Sequence, residues 1–300
     1  MTLFITGDTH GALRFEYDSP DGFVTRFNMK SFPVQKTLTK EDYVIICGDF
    51  GGIFDTDRRY FRESEFEKHH LDWLDTRNFT TLFVPGNHEN YDRLSGIKDE
   101  AILNCWLYEK MDPSEKEKLR RGYPRKAWHG GYVREIRPSV LMLESGVFEI
   151  GGYRCFVYGG AASHDIDGGI LNPADYVSET QYRQAYAWTK EWGEPFRVKG
   201  LTWWRQEIPD NETKQAAWNA LEAVDFKVDL VFSHDCHMAV LSKIMPDEPG
   251  SPISHFLESV RQKLTYDAWY FGHYHDNIDF ADERTYMLYE RIIRLDKCAK

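Results

Sequence analysis

The sequence predicts an α/β fold in which two mixed β-sheets pack as a sandwich flanked by helices. Three observations lead there. Short apolar runs that suit buried strands recur along the chain and stop at Gly, Asp, Asn or His. A helical period over residues 58–76 supplies the crossover that two parallel strands need. From residue 140 the strand connections shorten to hairpin length, so the character of the sheet changes midway.

The first strand is Leu3-Phe4-Ile5-Thr6, which leads into Gly7-Asp8-Thr9-His10-Gly11. Residues 12–40 mix aromatics, charges and two prolines, and loop with short structure is expected. Tyr43-Val44-Ile45-Ile46-Cys47 carries no charge and reads as a strand buried on both faces, ended by Gly48 and Asp49. Over 58–76, Phe66, His70, Trp73 and Leu74 fall at helical spacing, and His69 and His70 read as helix-surface residues. Leu82-Phe83-Val84 is the next strand, followed by Pro85-Gly86-Asn87-His88-Glu89. Asp112-Pro113-Ser114-Glu115 combines an N-cap, a first-turn proline and a capping-box glutamate, so a helix begins there and stops before Gly122.

Strands at 140–143, 147–150 and 153–158, separated by Glu144-Ser145-Gly146 and Gly151-Gly152, have the spacing of an antiparallel meander. The small residues of Gly159-Gly160-Ala161-Ala162-Ser163 would let backbone approach a ligand, and His164 and Asp165 would shape a pocket or simply form a turn. Asn172-Pro173 predicts a helix start, and residues 182–204 are crowded with Tyr, Trp, Arg and Lys. Asp210 opens a helix reaching Val224, and Ser251-Pro252 opens another. Asp229-Leu230-Val231-Phe232 leads into Ser233-His234, and Trp269-Tyr270-Phe271 into Gly272-His273-Tyr274-His275. The tail from Tyr286 to Leu295 alternates like a final strand.

Three hundred residues with 42% hydrophobic content can build a sizeable core. A single domain over 1–300 is expected, with an insert at about 105–210 that forms either a wall of the site or ordinary packing. A net charge of -11 argues against a general nucleic-acid surface, which needs clustered Lys and Arg. The five cysteines are widely spaced and form no Cys-x-x-Cys, so neither a disulfide framework nor a zinc ribbon is indicated, and a reducing cytoplasm is expected. The N-terminus reads as a first strand rather than a leader, and no run approaches the 18 or so apolar residues of a membrane span.

Five strand ends thus bring Asp8, His10, Asp49, Asn87, His88, His234, His273 and His275 toward one rim. Carboxylate, amide and imidazole donors without thiolate suit Mn²⁺, Fe or Zn²⁺ rather than a structural zinc site. The ordered set Gly-Asp-Thr-His-Gly at 7–11, Gly-Asp at 48–49, Gly-Asn-His-Glu at 86–89, His234 and Gly-His-Tyr-His at 272–275 resembles the calcineurin-like metallophosphoesterase superfamily. The resemblance implies two divalent metal ions, Mn²⁺ the first expectation, with Fe or Zn²⁺ as alternatives. It would give Asp8, His10 and His275 to one ion, Asn87, His234 and His273 to the other, and Asp49 to both.

The reaction implied is attack on phosphorus by a hydroxide bridging the ions, with His88 protonating the leaving alkoxide and Glu89 or another carboxylate orienting that ring. A phosphomonoester, including a phosphoprotein, and a phosphodiester both stay open as substrates. So does a non-catalytic scaffold of the same fold. One departure bears on substrate binding: Gly48-Asp49 runs on to Phe50-Gly51-Gly52, where much of the family has an Asp-Arg pair that supplies a phosphate-binding arginine. Phosphate orientation must then come from elsewhere, and His164, Arg183, Arg197 and Arg205 are the candidates.

Overall fold

Apolar runs too short for helices form the strands that carry the motifs. The computed structural model describes residues 1–11, 23–54, 63–109 and 111–295. In chain order, β1 (Leu3–Thr6) is followed by one helical turn, α1 (Phe23–Arg26), a 3₁₀ turn at Pro33–Thr37, and β2 (Tyr43–Cys47). Helix α2 (Glu65–Asp75), capped by the Ser64 hydroxyl accepting from the Glu67 N–H, crosses to β3 (Thr80–Val84). Then come α3 (Tyr91–Ser95), α4 (Glu100–Leu103), α5 (Pro113–Arg121), β4 (Arg125–Trp128), β5 (Gly131–Arg137) and β6 (Val140–Leu143). The second half contains β7 (Gly146–Ile150), β8 (Tyr153–Tyr158), β9 (Ile170–Leu171), α6 (Glu179–Glu191), β10 (Arg197–Val198) and α7 (Asn211–Glu222). It continues through β11 (Leu230–Ser233), α8 (Met238–Ile244), α9 (Pro252–Arg261), β12 (Ala268–Phe271), β13 (Ile278–Phe280), β14 (Thr285–Met287) and β15 (Ile293–Leu295).

Two large sheets result, with strand orders β15-β1-β2-β3-β6-β5-β4 and β13-β14-β12-β11-β8-β7, and β9 pairs with β10 in a separate two-stranded sheet. In the first, β1, β2, β3 and β6 run parallel; in the second, β14, β12, β11 and β8 do. Antiparallel strands flank both parallel blocks. The two-residue period of each strand sends alternate side chains to opposite faces. Leu3, Ile5, Ile45, Leu82 and Val84 meet Phe148, Val157, Leu230 and Phe232 between the sheets. The intervening residues Phe4, Val44, Ile46 and Phe83 pack outward on Leu71 and Leu74 of α2. On the far side, Phe156, Val231, Trp269 and Phe271 pack against α7, α8 and α9. Burying each such side chain contributes about 1.5–3 kcal/mol, so both faces of both sheets are held by helix or partner sheet. Among the described residues, no helix is long and apolar enough to cross a membrane.

Several local expectations change. Of the helix predicted over 58–76, the described part is Glu65–Asp75; residues 58–62 lie outside the described residues, as do 12–22. The predicted meander is not one sheet, because β6 pairs with β3 and β5 while β7 pairs with β8 in the other sheet. Glu144 makes the crossing, accepting from Arg125 Nε and Arg134 Nε at 2.8 Å each. Asn172 does cap, accepting from the Ala174 N–H, but only a 3₁₀ turn (Pro173–Asp175) follows, since Tyr176 is extended, and α6 starts afresh at its own cap, Ser178. The tail is two strands in different sheets, β14 and β15, with Leu288 buried in the core between them.

Candidate metal centre

Parallel strands deliver their C-terminal ends to one rim, and five of them do so here. β1 presents Asp8 and His10, β2 Asp49, β3 Asn87 and His88, β11 His234, and β12 His273 and His275. Four of these residues take left-handed backbone: His10 (φ 43°), Asp49 (φ 38°), His273 (φ 72°) and His275 (φ 52°). Such conformations cost non-glycine residues of order 1–3 kcal/mol each and persist where surrounding structure over-determines them. Part of that restraint is visible: the Thr9 and His10 N–H groups both donate to the Asp49 carbonyl at 3.0 Å.

Two glycines have a role that the turn alone does not explain. A Cβ at Gly86 would lie 2.1 Å from Asp49 Oδ1, and one at Gly272 would lie 2.1 Å from Asp8 Oδ1. Each glycine precedes one candidate ligand and makes room for another. The opposite holds at Gly159 and Gly160, where a Cβ would strike Pro85 and the Glu207 carbonyl. Those two admit protein neighbours rather than a ligand.

Donor atoms converge in two groups that share one residue. Asp8, His10, Asp49 and His275 each offer an atom within 4.8 Å of the others, and so do Asp49, His234 and His273. His275 Nε2 lies 3.1 Å from Asp8 Oδ2, His10 Nε2 3.4 Å from Asp49 Oδ2, and His234 Nε2 3.2 Å from Asp49 Oδ1. Asn87 Oδ1 joins the second group at 3.1 Å from His234 Nε2. Backbone donors set the carboxylates: the His88 N–H reaches Asp49 Oδ1 at 2.8 Å, and the His273 N–H reaches Asp8 Oδ1 at 3.0 Å.

The charge balance of this cluster favours cations. Asp8 is fully buried and Asp49 nearly so. Burial opposes ionisation of both, yet His234 and its neighbours hold each carboxyl below the usual range, Asp49 well below it. Burial would likewise lower the His234 imidazolium, but Asp49 and Asp8 outweigh it and push His234 up to about 10. Burial lowers His273 to about 4. Two buried carboxylates thus gather whatever positive charge is at hand, as buried ions must. Oxygen and imidazole donors aimed at one space fit divalent cations, and His234 Nδ1, 3.2 Å from the Cys47 carbonyl, is the kind of outer hydrogen bond that directs Nε2 toward a metal.

His88 stands beside the cluster, its Nε2 4.0 Å from Asp49 Oδ2. Arg197 Nη2 lies 3.3 Å from the same Nε2, and because a guanidinium only donates, Nε2 is the acceptor. Burial first, with Arg197 and His10 adding to it, lowers His88 to about 4. Arg197 is fixed by Asp165, whose Oδ2 is 2.7 Å from Nη2, and by the Thr202 carbonyl at 3.0 Å from Nη1. The segment bearing Arg197 is pinned by buried carboxylates. Glu207 accepts from Ser163 N–H, Ser163 Oγ and Trp203 Nε1, and Asp92 accepts from Trp204 Nε1. The rings of Phe54 and Trp204 stack edge to face at 5.5 Å, with Phe54 5.8 Å from His88.

Other candidates fall elsewhere. His164 is exposed, with its ring 5.8 Å from that of His273, at the margin of the site. Arg183 pairs with Glu179 on the outer face of α6, and Arg205 bonds the Ile208 carbonyl and lines a separate cleft. Glu89 does not orient His88: its Oε1 accepts from the Phe50 and Gly51 N–H groups at 2.8 and 3.3 Å, bracing the loop that carries Asp49. Phe50, in place of the absent Asp-Arg, stacks on Phe83 at 4.2 Å in the core. Asp165, which the sequence offers as a pocket or turn residue, fixes Arg197; Glu207 and Asp235 carry structure at the site, and only their nearness to Arg205 and His234 hints at it in the sequence.

The calcineurin-like phosphoesterase family matches residues 1–277. No curated protein matches by sequence. Among solved structures, the chain is similar to the phosphopantetheinyl hydrolase PptH from Mycobacterium tuberculosis, at 14% identity over 95% of this chain and 87% of that one. The TM-score is 0.35.

Proposed function

The chain belongs to the calcineurin-like phosphoesterase family, whose chemistry is metal-dependent hydrolysis of phosphate esters, and we propose that it uses two divalent ions to hydrolyse a phosphomonoester. The observation that carries the dinuclear reading is Asp49, common to both donor groups. Asp8, His10 and His275 would hold one ion, Asn87, His234 and His273 the other, and Asp49 both. When bound, such ions supply Lewis acidity toward phosphoryl oxygens and lower the pKa of water. Oxygen and imidazole donors are compatible with Mn²⁺, Fe or Zn²⁺, and Mn²⁺ is the first choice on the family resemblance alone.

The protein's own groups do the rest. The His88 and His273 N–H groups keep the Asp49 and Asp8 oxygens turned inward, so the carboxylates need no reorientation. Arg197 supports the monoester reading. Its Nε, Nη1 and one side of Nη2 are committed to Asp165 and Thr202, whereas the second Nη2 N–H, on His88, is the one that a terminal phosphate oxygen would take. A monoester has three terminal oxygens and a diester two, so a guanidinium beside two cations favours the former. Released from Arg197, His88 Nε2 is free to carry a proton toward the leaving oxygen. The test is a panel of monoesters and diesters with added Mn²⁺, run on wild type and Arg197→Ala. Monoesters should turn over faster, and Arg197→Ala should lower kcat/KM by about 10- to 100-fold on monoesters and by less on diesters. Preferred cleavage of diesters, unaffected by the substitution, would reverse the assignment.

A further inference from the structure

Asp235 follows His234 and lies nearly fully buried, yet it takes no part in either donor group. Its carboxylate accepts four hydrogen bonds. Oδ1 takes the Tyr274 hydroxyl at 2.8 Å and the Cys236 N–H at 2.7 Å. Oδ2 takes the hydroxyls of Ser251 at 2.8 Å and Ser254 at 2.9 Å, the N-cap and the first turn of α9. Tyr274 in turn sits between His273 and His275, which belong to different donor groups. Both histidines have left-handed backbone, so the Gly272-His273-Tyr274-His275 turn is strained on either side of the tyrosine. A backbone bond from the Gly272 N–H to the His234 carbonyl (3.1 Å) also joins the two loops, but it stops before the histidines. The Tyr274 hydroxyl ties the turn to the β11 loop from between the two histidines, beside the edge-to-face contact of the His234 and His273 rings at 4.8 Å.

We infer that Asp235 and Tyr274 are positioning residues that couple the two metal sites: one buried carboxylate, anchored on α9, holds the β11 and β12 loops in the single geometry in which His234, His273 and His275 all face inward. This rests on the dinuclear reading above. Outer partners of metal ligands change affinity by about 10- to 100-fold when removed, and here one hydroxyl bonds the residue between two candidate ligands, His273 and His275, to the residue beside a third, His234. Losing it should therefore weaken both sites, although Asp235 adjoins a ligand of only one.

The experiment strips metal from the full chain with a chelator and titrates Co²⁺, reading visible absorption and calorimetric isotherms, for wild type, Tyr274→Phe, Asp235→Asn and the double variant. Tyr274→Phe keeps the ring and removes only the donor, so it reports even where Asp235→Asn fails to fold. The expected result is a loss of about 10- to 100-fold in Co²⁺ affinity at both sites, an altered visible spectrum and an unchanged metal-free melting temperature for Tyr274→Phe. The double variant should be no weaker than the worse single, as for residues acting as a unit. Wild-type isotherms and spectrum in Tyr274→Phe would overturn the inference alone. An effect confined to one site, or one matched by a lower metal-free melting temperature, would also overturn it. Wild type that binds no Co²⁺ would overturn the dinuclear reading and this inference with it.

Discussion

Replacing His88 by Ala separates its side chain from its backbone. The N–H that donates to Asp49 Oδ1 at 2.8 Å survives, so the shared carboxylate keeps its orientation. What disappears is the Arg197 contact at 3.3 Å and ring contacts to Phe54 and His10 at 5.8 and 5.3 Å. The side chain is 23% exposed and no member of either donor group, so the stability loss should stay near 1–2 kcal/mol and metal content should hold. General acid catalysis typically contributes 10²- to 10⁴-fold, or about 2.7–5.4 kcal/mol in the barrier. For an alkyl phosphate, kcat/KM should fall by that factor. For nitrophenyl phosphate, whose leaving group needs little protonation, the loss should be about tenfold or less. Steady-state kinetics with both esters, alongside elemental analysis, decides the matter. Equal impairment of both esters would refute the proton-donor role, and loss of metal would show that the side chain supports the centre itself.

Gly86→Ala should cost most of the metal content and destabilise the fold by about 2 kcal/mol or more, because its Cβ would meet Asp49 Oδ1 at 2.1 Å; near-normal metal content would show that the loop yields freely. His237 bears on acid stability. It is fully buried, bonded to Thr285 Oγ1, and lowered to about 3 by burial and then by Arg261 and Lys243, with Glu258 opposing. Its neutral form is favoured by the fold, so the contribution is complete above the unfolded value of about 6.5 and is lost as pH falls from there toward 3. The upper bound is about 5 kcal/mol, and denaturant titrations across pH 4–7 should show a shallower acid slope for His237→Gln than for wild type. Parallel slopes would mean that other groups carry the acid sensitivity.

The donor residues were legible because each closes an apolar run, and a strand's end is where a parallel sheet exposes side chains. Asp8, Asp49, His234 and their companions could be read off that pattern before any contact was known. Which sheet a strand joins was not legible. The residues at 144–145 have hairpin length, yet they pass from one sheet to the other, and a short polar link carries no mark of the difference. The same is true between Met287 and Ile293. β4 gave little signal because Arg125, Lys126 and Ala127 are exposed on an edge strand, where no apolar alternation is required. Arg197 could be shortlisted only as one arginine of three. Its selection depends on Asp165, 32 positions earlier, and on a contact to His88, 109 positions away, and one-residue patterns do not encode such pairs.

The central claim is that Asp49 holds two divalent ions at once. Metal content per chain, measured by elemental analysis after reconstitution with Mn²⁺ and removal of loose ions, tests it most directly when wild type is compared with Asp49→Asn. Close to two ions in the wild type, with both sites weakened together by the one substitution, is the predicted result. A single tightly held ion whose occupancy Asp49→Asn leaves unchanged would contradict it.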